Sequence, residues 1–269
     1  MYKTLLLVGL LAFFGQAQAC VDGNRSDEDN FISCKKSAEQ GNADAQFNFG
    51  AIYDLGRGVS QDRKQAAHWF RKSAVQGNTN AQYFLGLLYK NGEGVSQDHK
   101  QAFHWFGKAA EQGHAGAQFL IGTMYTSGDG IGQDYQQAAH WLNKAAEQDI
   151  AEAQYLLARI YYGGDSVNQD RKKAAHWFKN AAEQGHAGAQ FYLGGIYEVG
   201  HGVSQDYEKM AHWFKNAAEQ GHVNAQYYLG MYYLGDGASQ DHKQAIFWLR
   251  KAAEQGHANA QNKLGLLQK

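Results

Sequence analysis

The chain has 269 residues, 32 of them Gly and none Pro, with 44% hydrophobic and 13% aromatic residues. That composition excludes collagen-like chains and Pro-rich linkers, and it is too apolar for a disordered Gly-rich tract. Lys+Arg of 25 against Asp+Glu of 26 gives a formal charge of −1, with no basic field for nucleic acid and no acidic tail; the mean hydropathy of −0.58 fits a soluble protein.

The N-terminus carries the one long apolar run. Lys3, the uncharged stretch Leu5 to Phe14, and Ala17-Gln18-Ala19 follow one another. A basic start, a short apolar run and an A-x-A site describe a signal peptide at 1–19, cleaved after Ala19. The run is too short to span a bilayer comfortably. Loss of Lys3 takes the formal charge to −2. The protein is therefore expected to be exported, to a periplasm or outside the cell. Cleavage leaves Cys20 first, and Cys34 is the other Cys. Two readings stand: Cys20 pairs with Cys34 in an oxidising compartment, or Cys20 carries a lipid anchor. Against the second, Ala17 sits where a lipoprotein signal usually has Leu. A segment at 20–31 leads into the repeats.

From there one period governs the chain. The Trp residues fall at 69, 105, 141, 177, 213 and 248, in steps of 36, 36, 36, 36 and 35. The dipeptide Ala-Gln keeps the same step. A half unit at 32–44 precedes full units at 45–80, 81–116, 117–152, 153–188, 189–224 and 225–259, and a fragment at 260–269 follows. In the unit from Ala189 to Asn224, Ala189, Leu193, Ile196 and Tyr197 share one face of a first helix. Gly200 and Gly202 end it. Asp206 is an N-cap for a second helix with Met210, Trp213, Phe214, Ala217 and Ala218 on its apolar stripe. Gly221 follows as the residue past that helix. Such a pair cannot bury its own apolar faces, so neighbouring pairs must stack. Local departures are Ala158, where other first helices have Gly, Ser166 in a loop, Asp149 past a second helix, and Phe247 in a column of His.

The pattern A-Q-x-x-L-G-x-x-Y, G-x-G-V, Q-D-x-x-x-A-x-x-W-F and K-x-A-A-E-Q-G resembles the Sel1-like repeat family, a branch of the tetratricopeptide-type solenoids. The resemblance covers residues 32 to 269. It implies an all-α fold, an α-solenoid of stacked antiparallel helix pairs wound as a right-handed superhelix, with first helices lining a concave face.

Positions that vary between units are free to serve a ligand. On the first helix, positions 44, 48, 51 and 55 share a stripe about 60° wide, away from the apolar face. At the 48- and 51-type positions it carries Phe84, Leu87, Leu120, Leu156, Arg159, Tyr192, Tyr228 and Met231. An exposed apolar row marks a partner site, so these are the candidate partner-binding residues. The competing reading is packing between neighbouring repeats.

Other chemistry finds little support. His68, His104, His140, His176 and His212 form a row whose rungs are too far apart to share a metal, so no metal site is expected. Protonation of all twelve His would move the formal charge from −2 to +10. The Gly-x-Gly loops lack the strand and the Lys-Ser/Thr of phosphate cradles. No G-x-S-x-G or H-E-x-x-H occurs, and no cofactor is expected. The expectation is a non-enzymatic scaffold that binds a protein or peptide, with no nucleic acid. Relatives imply two alternatives, an immunity or inhibitor protein against a secreted toxic enzyme, or a secreted host-interaction factor. A β-lactamase-like hydrolase, described for relatives with a Cys pair in each repeat, has no such pairs here after Cys34.

Overall fold

The computed structural model describes residues 20–163, 169–235 and 240–267. The signal sequence expected at 1–19 and the loop position Ser166 lie outside the described residues. Two compact units divide the chain, one ending at Trp141 and the other beginning at Leu142. Among the described residues all regular structure is helical.

The first unit holds α1 (Asp27–Glu39), α2 (Ala43–Leu55), α3 (Arg63–Val75), α4 (Thr79–Asn91), α5 (His99–Glu111) and α6 (Ala115–Ser127). The division falls within α7 (Tyr135–Ala146). The second unit continues with α8 (Ala151–Gly163), α9 (Arg171–Glu183), α10 (Ala187–Val199), α11 (Tyr207–Glu219), α12 (Val223–Leu234), α13 (His242–Glu254) and α14 (Ala258–Leu267). Even-numbered helices are the first helices of the repeats and odd-numbered ones the second. Within each unit helices pack on their neighbours in sequence, such as α2 on α1 and α3, or α10 on α9 and α11. The fold is an all-α solenoid.

Repeated polar residues account for the boundaries. Asp98 accepts the Lys100 and Gln101 amides at the start of α5, and its own amide donates to Tyr89 of α4. Gln97 donates to the Lys90 carbonyl in the last turn of α4. The Q-D pair thus satisfies one helix's end and the next one's beginning. First helices begin at Ala43 rather than Ala45, because Asn42 is the cap and its side chain accepts the Ala45 amide. At the N-terminus, α1 starts ahead of the expected half unit, capped by Ser26 with Asp27, Glu28 and Asp29 in its first turn.

Two Gln columns tie the stack together. Gln82 Nε2 donates to the Ala74 carbonyl (3.1 Å), and Gln112 Nε2 donates to Gln82 Oε1 (2.7 Å). The same pair of bonds recurs at Gln46 with Gln76, and in the second unit at Gln190 with Gln220. These amides are buried on the first helices, where an unpaired polar group would be costly.

Apolar packing follows the column of Gly. A Cβ added to Gly86 would lie 2.6 Å from the Phe106 ring, so only Gly lets α4 and α5 approach this closely. Ala158 occupies that column in α8, buried in one cluster with Phe178. Asp149 takes a left-handed backbone with φ of 61°, the conformation that Gly41, Gly77 and Gly113 supply elsewhere.

The first unit begins with a sulfur bridge. Cys34 lies in the register of Phe70, one repeat earlier, and is joined to Cys20. Both sulfurs are buried in a cluster with Phe49, Ile52 and Trp69.

Candidate protein-interaction face

The variable stripe divides between the two units. In the first unit its candidate residues are buried. Phe84, Leu87 and Leu120 are only 2%, 6% and 4% exposed and belong to the core. The Phe84 ring stacks on Phe70 of α3 at 5.8 Å and meets Phe47 of α2 at the same distance. These three residues pack between repeats and present almost no surface to solvent.

In the second unit the same columns open. Leu156, Tyr192 and Met231 are half-buried, while Arg159 and Tyr228 are exposed. Tyr192 still stacks on Phe178 of α9, with centroids 5.0 Å apart and planes parallel within 1°. Tyr228 stacks on Phe214 of α11 at 5.7 Å and remains 42% exposed. The rings are therefore fixed from below and offered from above. Gly195 lies between Arg159 and Met231 in the 51-type column, and a Cβ there would meet open space.

Ring contacts join the three first helices into one face. Tyr155 of α8 meets Tyr192 of α10 at 6.0 Å, and Phe191 of α10 meets Tyr228 of α12 at 5.9 Å. The Arg159 guanidinium lies over the Tyr155 ring at 5.7 Å. Burial raises the Tyr155 pKa, against the pull of Arg159. Burial also lifts the Glu198 carboxyl above its usual range. Glu152 is held low, chiefly by its hydrogen bond to His186, with Nε2 and Oε2 2.9 Å apart. The face therefore combines aromatic surface with a cation near α8 and carboxyls at its margins.

Sequence reasoning missed two further columns. Tyr83, Tyr155, Phe191 and Tyr227 stack on His114, His186, His222 and His257, at centroid distances of 4.3, 4.4, 4.6 and 4.4 Å. The signal was present, since an aromatic residue stands at the 47-type position of every unit. The other His row is where the period places it. His68, His104, His140, His176 and His212 are exposed, each edge-on to the following Trp. Phe247 takes the same posture against Trp248. Among the described residues no group of His, Cys, Asp or Glu could hold a metal ion, and no helix is long and apolar enough to cross a membrane.

Comparison with known proteins gives consistent likenesses. The family profile described as Sel1 repeat matches residues 43–78, 79–114, 115–150, 151–186, 187–222 and 223–257. Its frame begins where the first helices begin. The crystal structure of c5321, described as a protective antigen of uropathogenic Escherichia coli with an SLR fold, is 35% identical with a TM-score of 0.89. The match covers 96% of this chain and 56% of that one, so this chain spans little more than half its length. A Sel1 repeat protein from Oxalobacter formigenes is 31% identical with a TM-score of 0.66, over 85% of this chain and 97% of the other. A comparison with curated protein sequences gave no match.

Proposed function

The chain belongs to the Sel1-repeat family, whose members are generally protein-interaction scaffolds, and from that premise we propose an exported, non-enzymatic scaffold that captures a protein through its second unit. One observation carries the choice of surface. The variable columns that are core in the first unit surface in the second, as Leu156, Arg159, Tyr192, Tyr228 and Met231. Aromatic and Arg side chains of this kind dominate binding energy at interfaces. Their rings are pre-ordered by stacking on α9 and α11, which lowers the entropy lost on association. The Cys20–Cys34 disulfide supports an oxidising compartment, and the likeness to a protein described as a protective antigen supports display outside the cytoplasm.

The test compares partner capture by the native chain with capture by Arg159→Glu and Tyr228→Ser, helix content being followed by circular dichroism. Capture falls about tenfold or more for each if these are central contacts. His104→Ala, on the exposed row of second helices, serves as control. Equal capture by all variants, with helix content intact, overturns the assignment.

A further inference from the structure

The first helices do not share one N-cap. In α2 and α4 the cap is Asn. Asn42 and Asn78 each accept an amide through Oδ1, from Ala45 and Ala81, at 2.8 Å. In α6, α10, α12 and α14 it is His. His114, His186, His222 and His257 accept the Ala117, Ala189, Ala225 and Ala260 amides through Nδ1 at 3.1, 3.0, 3.3 and 3.2 Å. An imidazole nitrogen accepts a hydrogen bond only while it is unprotonated. An Asn cap has no such condition.

We propose that His114 and His222 are acid-released helix caps, one in each compact unit. Protonation at Nδ1 ends the bond to the Ala117 or Ala225 amide. It also sets a cation at the positive end of the α6 or α12 dipole, where positive charge is unfavourable. The start of each helix then loosens from the aromatic ring beneath it.

The surroundings of both disfavour a charged ring. His114 faces the Tyr83 ring of α4, and burial drives its pKa below the ordinary value. His222 faces the Phe191 ring of α10, and burial lowers its pKa with a further push from His186. Among the described residues neither ring has a carboxylate partner. His186 differs, because its Nε2 meets Glu152 and a protonated ring gains a full ion pair there. His257 stacks on Tyr227 and has the same cap geometry.

The direction of the pH effect follows from the depressed pKa values. The unfolded chain takes up these protons first, near the ordinary pKa of about 6.5. The caps' contribution to stability is complete above that pH and is lost as the pH falls below it, through the lower folded values. In a mildly acidic compartment α6 and α12 loosen at their starts, while α2 and α4 keep their Asn caps.

Amide exchange tests this residue by residue, comparing about pH 7.5 with about pH 5 after correction for intrinsic rates. Protection at Ala117 and Ala225 should fall about five- to tenfold more than at Ala45 and Ala81, the equivalent of one lost cap. The double variant His114→Asn/His222→Asn, which copies the Asn42 and Asn78 caps, should remove that difference. His104→Asn/His212→Asn should leave it as in the native chain. Equal loss of protection at all four amides overturns the proposal, as does a native-like acid response in the double variant. Should that variant fold poorly, an NMR titration of the native imidazoles decides. Protonation of Nδ1 together with a shift of the Ala117 amide supports the release, and protonation that leaves that amide unmoved overturns it.

Discussion

Asp149 carries a left-handed backbone in a place where the other repeats use Gly. A side chain in that conformation crowds the following carbonyl, and Asp tolerates it only in part. Replacing Asp149 with Gly should therefore stabilise the chain by about 0.5–1 kcal/mol, after the larger unfolded-state entropy of Gly is subtracted. Urea unfolding reads this directly, and an unchanged or lower midpoint refutes it. The substitution is visible in the sequence as a break in a Gly column; its backbone cost is not, until φ is known. The partner stripe shows the opposite limit. Helical angles place Phe84, Leu87 and Leu120 beside Tyr192 and Tyr228 in register, yet the first three are buried and Tyr228 is not. The ring beneath does not decide it, since Phe84 lies 5.8 Å from Phe70 and Tyr228 5.7 Å from Phe214; exposure depends on the wider packing between repeats, which a period within one helix does not contain.

At the scale of the element, each helix pair is closed by polar side chains as much as by apolar ones. Gln82 is only 3% exposed and carries both bonds of its junction, one to the Ala74 carbonyl and one from Gln112. Gln82→Ala removes both bonds, while the Ala74 carbonyl keeps the Gly77 amide and Gln112 is exposed, so the cost is about 1 kcal/mol. Thermal unfolding should show it, and the double variant Gln82→Ala/Gln112→Ala should lose less than the sum of the single losses. Strict additivity would separate the two residues. The recurrence of Ala-Gln and Glu-Gln-Gly was plain in the sequence, and so were the helix ends set by Asp206 and Gly221. That the two Gln columns meet was not, because the residues stand 30 positions apart and belong to different repeats. The His caps were hidden for a related reason, since His in the Asn42 and Asn78 position reads as a surface residue until its Nδ1 is seen on a backbone amide.

At the scale of the whole molecule, the disulfide stands at the beginning of the stack. Closing a loop with a separation of 14 residues stabilises by about 3 kcal/mol in the chain-entropy account. Unfolding in reductant should show a loss of that order, first in amide exchange at α1 and α2; exchange spread evenly over the chain would argue against a local plug. The Gln bonds give the stack a further property. In these bonds the donating Gln lies later in the chain than its acceptor, as Gln46 to Ala38 and Gln76 to Gln46, while Thr79 donates forward to Gln112. A finished repeat thus waits with acceptors already in place, and the segment that follows brings the donors. In the folded chain each pair of helices therefore rests on acceptors that the pair before it carries. A protein built this way gains or loses pairs over evolutionary time without redesign of those before them.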